Sequence, residues 1–260
     1  AHQATLFAAA PGVYRQMLRS DIPAMPSLRH GFSAGEKLPE TLRDAWTTET
    51  GTKLYEAYGM SECSTFLSGS PSRPAPNGTL GFPQVGRRIA LIGETGPVPI
   101  GTAGTIAVHK SDLGLMIGYL DQPEETAARF AGDWFLTGDV GRMSENGAIT
   151  YEGRADDMMN AGGYRVSPVE VEDALTSHPD IHEAAACEVT VKADTTVIAA
   201  FYTSDAEIDA DTLSAFAATQ IARYKCPRIF VRVPVLPRGA NNKLLRRSLR
   251  ADWEATHGQA

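Results

Sequence analysis

Two short polar segments carry side chains that could bind a nucleotide. The first, YGMSE, offers the flat ring of Tyr58 for a base, the hydroxyl of Ser61 and the carboxylate of Glu62 for a metal ion. The second, TGD, follows the apolar run WFL, and the carboxylate of Asp139 could accept two hydrogen bonds from a ribose diol. Taken singly, each segment also fits an ordinary polar turn.

Three further positions carry positive charge or backbone freedom. Arg154, in GRADD, could hold a phosphate or ribose oxygen, although a surface salt bridge would look the same. The paired Gly162 and Gly163 would let the backbone approach a ligand closely, or would serve a turn that needs positive φ. Lys243 lies between two asparagines and two leucines, and alone it reads as a solvated surface charge. Arginines that follow it predict the basic face of a last helix.

The elements that must position these residues fall into three stretches. Up to about residue 70, alternating strand and helix patterns predict an α/β parallel sheet with loops at the strand ends. From 77 to 153, glycine and proline recur between short apolar runs such as LMIGYL, which predicts short antiparallel strands in a β-barrel-like segment. From 155 to 260, mixed patterns predict a small α+β C-terminal domain, joined near GRADD to a larger domain over 1–154.

One helix start in the third stretch is well marked. Ser167 can cap the helix, Pro168 suits its first position, and Glu170 would complete a capping box.

Composition and charge exclude several classes of protein. The 260 residues carry a formal net charge of −7, which argues against a general nucleic-acid binder. No apolar run reaches the ~20 residues that span a bilayer, so no membrane span is expected. Three separated cysteines, without a CxxC pair, read as free thiols in a reducing compartment. We therefore predict a cytoplasmic protein.

The order of the motifs is more specific than any one of them. SAGE, YGMSE, GTAGTIAV, WFLTGD, GRADDMMNAGGYRVSPVEVE, YKCPR and LPRGANNK follow one another in the sequence. Together they resemble the adenylate-forming (AMP-binding) superfamily, which includes acyl- and aryl-CoA synthetases. The resemblance covers essentially the whole chain. It implies that a carboxylic acid and ATP give an acyl-adenylate and pyrophosphate, and that a thiol, usually CoA, then displaces AMP.

The resemblance also implies roles for individual residues. Gly35 and Glu36 would line the adenine pocket, Tyr58 would stack on the base, and Gly59 belongs to the same motif. Ser61 would contact the α-phosphate, and Glu62 would help to hold Mg²⁺. Asp139 would bind the ribose hydroxyls and Arg154 a ribose or phosphate oxygen. These nucleotide-binding and metal assignments are expectations taken from the family pattern.

Further assignments concern the C-terminal domain. Lys243 would be the catalytic lysine of adenylation, and Asp156 the hinge about which the small domain rotates. Gly162 and Gly163 would line the pantetheine channel, and Arg228 could meet a CoA phosphate. The implied ligands are ATP, Mg²⁺, CoA and a small carboxylic acid, with benzoate or a medium-chain fatty acid favoured by GFSAGEKLPE and NNKLLRR.

Departures from the family pattern leave alternatives open. Ser61 replaces the usual Thr, and Asn242 the usual Gly. Nothing before Ala34 resembles the glycine-rich phosphate loop of the family, so we expect roughly the C-terminal half of a synthetase, inactive alone. The alternatives are an adenylation domain that loads a carrier protein, and a non-catalytic nucleotide- or CoA-binding remnant. The oligomeric state stays open, with a homo-oligomer among the options.

Overall fold

The chain forms two compact units, which we call the first unit (Ala1–Tyr151) and the second unit (Glu152–Ala260). Contacts therefore divide the chain after Tyr151, three residues before the end of the predicted large domain at Arg154. The structure is a computed structural model. It describes residues 3–35, 37–161, 163–192, 195–239 and 244–257.

The first unit opens with the predicted α/β sheet. Its strands run in the order β1-β2-β3-β4-β5, with β1, β2 and β3 parallel and β3, β4 and β5 antiparallel. The elements are β1 Leu6–Ala9, α1 Pro11–Met17, β2 His30–Ser33, α2 Glu40–Thr50, β3 Lys53–Met60, β4 Ser64–Ser68 and β5 Phe82–Pro83.

A compact aromatic core holds the helices on this sheet. Tyr14 of α1 and Trp46 of α2 are fully buried and meet edge to face, with ring centroids 4.8 Å apart. The hydroxyl of Tyr14 donates to the carbonyl of Phe32 on β2 at 2.7 Å. Helix α2 ends at Gly51, whose φ of 69° allows the left-handed turn that closes the helix. The helices thus fix the parallel strands and the edge where their carboxyl ends lie.

The second sheet of the first unit contains the predicted short strands. Its order is β11-β10-β8-β6-β7, with β9 paired to β10. The elements are β6 Ile89–Gly93, β7 Gly96–Pro97, β8 Ala103–His109, α3 Pro123–Ala128, β9 Phe130–Ala131, β10 Trp134–Met143 and β11 Ile149–Arg154. A shared core joins this sheet to β4: buried Phe66 and Leu67 pack with Ile106 and Ile149.

The strand predicted at LMIGYL is wrong. Residues 115–120 form turns and irregular backbone between β8 and α3, and Ile117 and Leu120 are exposed. The run was read from its hydrophobicity, but its backbone N–H groups at Leu115, Met116 and Tyr119 donate to Asp112, Glu62 and Thr126 instead of to a strand ladder.

The second unit is the predicted small α+β domain. A hairpin of β12 and β13 precedes a three-stranded sheet in the order β14-β15-β16, in which β15 pairs antiparallel with β14 and parallel with β16. The elements are β12 Met159–Ala161, β13 Tyr164–Val166, α4 Pro168–Thr176, β14 Glu183–Lys192, β15 Thr195–Thr203, α5 Ala210–Gln220, a 3₁₀ turn Arg223–Lys225, β16 Ile229–Arg232 and α6 Arg246–His257.

The sheet of the second unit is buried on both faces, because alternate residues of a strand point to opposite sides. Ala184 and Ala186 of β14 pack in the core that contains α4 and α5. Ala185 and Cys187 pack in the other core, which contains Leu249 of α6. The small side chains let helices approach both faces of one strand.

No helix among the described residues is long and apolar enough to cross a membrane.

The predicted cap of α4 is present in part. The hydroxyl of Ser167 accepts from the backbone N–H of Glu170 at 3.2 Å, and Pro168 begins the helix. The carboxylate of Glu170 accepts from Lys225 Nζ at 2.6 and 2.7 Å. This glutamate therefore ties the helix start to the 3₁₀ turn, which is a tertiary role that the sequence pattern does not contain.

Candidate active site

Tyr58 and Asp139 meet although 81 residues separate them. The Tyr58 hydroxyl donates to Asp139 Oδ2 across β3 and β10. Burial raises the pKa of Tyr58, and the negative charge of Asp139 raises it further, so the phenol stays protonated. The fully buried Thr137 fixes the backbone at Asp139: its Oγ1 accepts from the backbone N–H of Asp139 at 3.1 Å and donates to the carbonyl of Ile106 at 2.7 Å.

The ring of Tyr58 is held by other aromatic side chains. Phe66 meets it edge to face at 5.2 Å between centroids, and Tyr151 lies at 6.2 Å with an interplanar angle of 44°. With its hydroxyl fixed by Asp139, the half-buried ring has a defined orientation. A fixed aromatic ring next to a carboxylate suits a base and a ribose diol.

Ser61 and Glu62 occupy the tight turn between β3 and β4. Ser61 is exposed and Glu62 is half-buried. Two bonds from the irregular segment at 115–120 hold Glu62: the backbone N–H of Met116 donates to its carbonyl at 2.6 Å, and the hydroxyl of Tyr119 donates to its Oε1 at 2.9 Å. Because this segment was predicted as a strand, Tyr119 was not predicted as a site residue. The Gly–Tyr pair near the end of the apolar run was a usable signal for it.

A buried ion pair supports the same turn. Arg87 donates to the carbonyl of Cys63 at 2.5 Å, and its Nε lies 3.2 Å from Asp112 Oδ1. The Asp112 side chain is only 1% exposed, and it also accepts from the backbone N–H groups of Arg88 and Gly114 at 2.8 and 2.9 Å. Sequence reasoning missed both charged residues, because a buried pair cannot be told from surface charges by residue type.

Glu62 alone would supply few protein ligands to a metal ion. Among the residues that the structure describes, no group of three or more His, Cys, Asp and Glu could hold a metal ion. Mg²⁺ in nucleotide enzymes is held by one or two carboxylates together with substrate phosphates and water. The donor set at Glu62 fits that kind of ion, and it does not fit a structural metal held by protein ligands only.

Glycine is required at Gly59 and at Gly35, both predicted to belong to the nucleotide site, for different structural reasons. A Cβ on Gly59 would lie 2.1 Å from the carbonyl oxygen of Ser64, so β3 and β4 can approach here only at glycine. Gly35 has a φ of +93° and open space around it. Ser33 of β2 pairs with Glu56 of β3. Gly35 follows Ser33 by two residues, and Tyr58 follows Glu56 by two, so both lie towards the carboxyl ends of these parallel strands. Glu36 lies outside the described residues.

Glu56 is an unpredicted carboxylate behind this edge. It is 9% exposed, and its Oε2 accepts from the backbone N–H of Leu38 at 3.4 Å. Burial raises the pKa of Glu56 to about 7, against the opposing effects of the Leu38 bond and the positive charges of Arg43 and Lys37. The usable signal in the sequence is a carboxylate inside the apolar strand KLYEAYG.

The predicted hinge residue forms ion pairs within the second unit. Asp156 is bound by Arg247 of α6, and its Oδ1 lies 3.5 Å from Arg154 Nε. The side chains of Asp156 and Arg154 are 48% and 41% exposed, so these pairs are open to solvent. Arg154 is thus near the predicted hinge, and its contact with a nucleotide stays a prediction.

Two of the predicted CoA residues, Gly163 and Arg228, lie in loops. Gly163 has a φ of +86° in the turn between β12 and β13. The following Tyr164 meets Tyr224 at 4.9 Å between ring centroids, which brings this turn to the segment YKCPR. Arg228 in that segment has an exposed side chain, while its backbone N–H donates to the carbonyl of Ile198 at 2.9 Å.

Gly162 and Lys243, like Glu36, lie outside the described residues. Described residues on the two sides of Lys243 contact each other. Leu244 pairs with Arg238 in an isolated bridge, and the backbone N–H of Leu245 donates to the carbonyl of Pro237 at 2.9 Å.

Two family models match this chain. The chain matches the model of the AMP-binding enzyme over residues 1–120 and that of the AMP-binding enzyme C-terminal domain over 170–243. It is 34% identical over 263 residues to the mitochondrial acyl-coenzyme A synthetase ACSM5 of Mus musculus, covering 96% of this chain and 46% of that protein. The chain therefore spans about half the length of the curated relatives it matches.

Solved structures give the same result. A benzoate CoA ligase from Burkholderia xenovorans LB400 is 33% identical, with a TM-score of 0.78 over 96% of this chain and 51% of that one. ATP-bound MatB from Rhodopseudomonas palustris is 27% identical, with a TM-score of 0.86 over 98% of this chain and 52% of that one. These matches confirm the predicted fold class.

The comparisons also correct one prediction. The cytoplasmic location is wrong, because the acyl-CoA synthetases matched here are named as mitochondrial proteins. The three cysteines are indeed free and buried, but a reduced thiol does not distinguish one reducing compartment from another. With the predicted motif order, both family models and the fold in agreement, the chain belongs to the family of AMP-binding enzymes.

Proposed function

We propose that this chain is part of an ATP-dependent carboxylic acid–CoA ligase. Such an enzyme forms an acyl-adenylate with release of pyrophosphate, and then a thioester with CoA. The observation that carries the proposal is the Tyr58–Asp139 pair, which joins an oriented aromatic ring to a carboxylate in the first unit. Its support is the identity of about a third to an acyl-CoA synthetase and a benzoate CoA ligase.

The first unit would bind ATP. The exposed face of the Tyr58 ring would stack on adenine, with Gly35, Gly59 and Glu36 around the base, and Asp139 would accept from the ribose hydroxyls. Ser61 would donate to the α-phosphate. Glu62, held by Tyr119, would direct a carboxylate oxygen to Mg²⁺, which would neutralise phosphate charge when bound.

Lys243 would act in the first half-reaction. An oxygen of the substrate carboxylate attacks the α-phosphorus of ATP, a P–O bond forms, and the bond to pyrophosphate breaks. Two anionic groups approach each other in this step, and a fixed ammonium group offsets the charge that develops. Arg154 would add a second cation at a ribose or phosphate oxygen.

The second half-reaction would use other residues of the second unit. The CoA thiolate attacks the acyl carbon, and the bond to AMP breaks. Gly162 and Gly163 would let the pantetheine chain pass close to the backbone, and Arg228 would bind a CoA phosphate. Rotation of the domain formed by 155–260 about Asp156 would exchange the lysine for the glycine turn between the two steps.

The acid substrate is proposed to be benzoate or a medium-chain fatty acid. The support is the resemblance of GFSAGEKLPE and NNKLLRR to that group of ligases, together with the benzoate CoA ligase among the structural neighbours.

Acid-dependent ATP–pyrophosphate exchange tests this function. The assay compares the 260-residue chain with a chain extended upstream to the length of its relatives, using benzoate and fatty acids of increasing length. We expect exchange in the extended chain. Its absence with every acid would overturn the proposal.

A variant then tests the catalytic lysine in the extended chain. Lys243→Ala should abolish exchange while thioester formation from supplied acyl-adenylate is kept, because the second step does not need the lysine. Lys192→Ala, another lysine of the second unit, is the matched control and should change neither step. Equal loss of both half-reactions in Lys243→Ala would rule out the role given to Lys243.

A further inference from the structure

Arg246 joins three elements of the second unit. Its Nε and Nη2 donate to the two carboxylate oxygens of Glu172 at 2.8 and 2.7 Å, in the two-pronged geometry that only a guanidinium provides. Its Nη1 lies 3.3 Å from Asp157 Oδ2. Helix α6, helix α4 and the segment after the predicted hinge therefore meet at one side chain.

This cluster is shielded from solvent, in contrast to the neighbouring pair. The side chains of Arg246, Glu172 and Asp157 are 16%, 12% and 16% exposed, whereas Arg247 is 77% exposed. Glu172 also accepts from the backbone N–H of Ala186 on β14 at 2.9 Å, so the cluster is anchored to the sheet. The prediction that the arginines after Lys243 form the basic face of the last helix is wrong for Arg246, because the carboxylates of Glu172 and Asp157 bind it.

The position of Arg246 in the sequence gives the cluster a further meaning. It is the first residue of α6 and follows Lys243 by three residues. Asp157 directly follows Asp156, and its backbone N–H donates to the carbonyl of Arg154 at 3.1 Å in a tight turn. One side chain thus connects the start of the helix after the lysine with the residue after the hinge.

We propose that Arg246 is a positioning residue that makes the segment from Asp157 onward and the start of α6, three residues after Lys243, turn together as one body. The pivot is then confined to the residues between Tyr151 and Asp157. This inference rests on the proposed function, since the roles of Lys243 and Asp156 come from it. Without the Asp157 contact, the start of α6 would no longer be fixed to the residue after the predicted hinge. Lys243 would then be misplaced during adenylation, and small misplacements of a catalytic group lower the rate by large factors.

The kinetic test uses Asp157→Ala in the extended chain, because this change keeps the Arg246–Glu172 bonds. We expect kcat for adenylation to fall roughly tenfold, with the KM for ATP and thioester formation from supplied acyl-adenylate each changed less than twofold. Asp180→Ala, at an exposed aspartate of the same unit, is the matched control and should change nothing. A parallel fall of both half-reactions, or an unchanged adenylation rate, would overturn the proposal.

Hydrogen exchange tests the contact between Arg246 and Asp157 without an activity assay. The backbone N–H groups of Asp157 and Met158 both donate to the carbonyl of Arg154 at 3.1 Å. In Asp157→Ala, exchange at Met158 should speed up roughly tenfold, while α4 and β14 keep their protection. Unchanged exchange at Met158 would overturn the positioning role proposed for Arg246. If the wild-type extended chain shows no acid-dependent exchange of pyrophosphate, the proposed function fails, and the hydrogen-exchange result still decides the role of Arg246.

Discussion

The two units hold their predicted functional residues by different means. In the first unit, Tyr58 and Asp139 lie on strands, and buried aromatic rings and backbone bonds fix them. In the second unit, the predicted residues Asp156 and Gly163 lie in turns, and Asp156 is held by ion pairs with Arg154 and Arg247. A site built on strands keeps its geometry when a ligand arrives, whereas loops held by charged side chains can change partners during a domain movement.

Two buried glutamates show the same contrast. Glu172 in the second unit shares its carboxylate with Arg246, whose charge opposes the rise in pKa that burial causes. Glu56 in the first unit accepts one long bond from a backbone N–H, and its pKa is raised to about 7. Burial thus raises the pKa of both carboxylates, but only Glu172 has a bidentate guanidinium partner that opposes the rise.

Removal of the cation at Glu172 should have the largest effect. Arg246→Met leaves a buried carboxylate without its bidentate partner, and we expect the free energy of unfolding to fall by about 4 kcal/mol at pH 7. Urea unfolding of the chain measures this. Arg247→Met is the matched control: its side chain is 77% exposed, so a loss of less than about 0.5 kcal/mol is expected. Equal losses in the two variants would contradict the contrast between buried and exposed pairs.

Glu56 should make stability depend on pH in the opposite sense from a salt-bridged carboxylate. Its pKa is 4.5 without the protein environment and about 7 in the folded chain, so the folded state holds a proton that the unfolded state has lost. The stabilisation is full below pH 4.5 and is lost as the pH rises to about 7, for a total of about 3 kcal/mol.

Glu56→Gln isolates this contribution, because an amide can still accept from Leu38 but cannot ionise. The difference in unfolding free energy between variant and wild type should increase by about 3 kcal/mol from pH 4.5 to 8. Urea unfolding at several pH values measures it, and Lys37, Arg43 and Glu40 are the charged groups that modulate it. A difference that does not change with pH would show that Glu56 is not protonated in the folded chain.

The glycine at the β3–β4 contact gives the next effect. Gly59→Ala places a Cβ 2.1 Å from the carbonyl oxygen of Ser64, and the required backbone shift should cost about 2 kcal/mol. The same shift should move Tyr58 and weaken AMP binding, which calorimetry would detect in the extended chain. Gly35→Ala meets no atom within 4 Å and should cost about 1 kcal/mol through its positive φ alone. Equal costs at both glycines would argue against close strand approach as the cause.

The sequence predicted the elements better than the contacts between them. Alternation, caps and glycine stops identified the parallel strands and the start of α4 at Pro168, because these signals are local. The pairing of Tyr58 with Asp139 depends on strand register across two sheets, which no local pattern contains. The burial of Arg246 was missed for the same reason, since its carboxylate partners are 74 and 89 residues away.

The bond of Tyr119 to Glu62 was also not predicted from the sequence, and its removal should give the smallest effect. Tyr119→Phe removes the one side-chain bond to Glu62 Oε1 that we find among the described residues, and it keeps the ring. If this bond orients the carboxylate for a metal ion, the Mg²⁺ concentration needed for half-maximal ATP binding should rise about fivefold, corresponding to about 1 kcal/mol.

Calorimetric titration of ATP into the extended chain at several Mg²⁺ concentrations measures this shift without turnover. Tyr224→Phe, which alters an exposed tyrosine of the second unit, should leave the Mg²⁺ dependence unchanged. A lower stability of Tyr119→Phe with an unchanged Mg²⁺ dependence would mean that Tyr119 only packs the turn. A shifted dependence at unchanged stability would mean that the first unit, like the second, uses residues beyond the ligands themselves to aim a charged group.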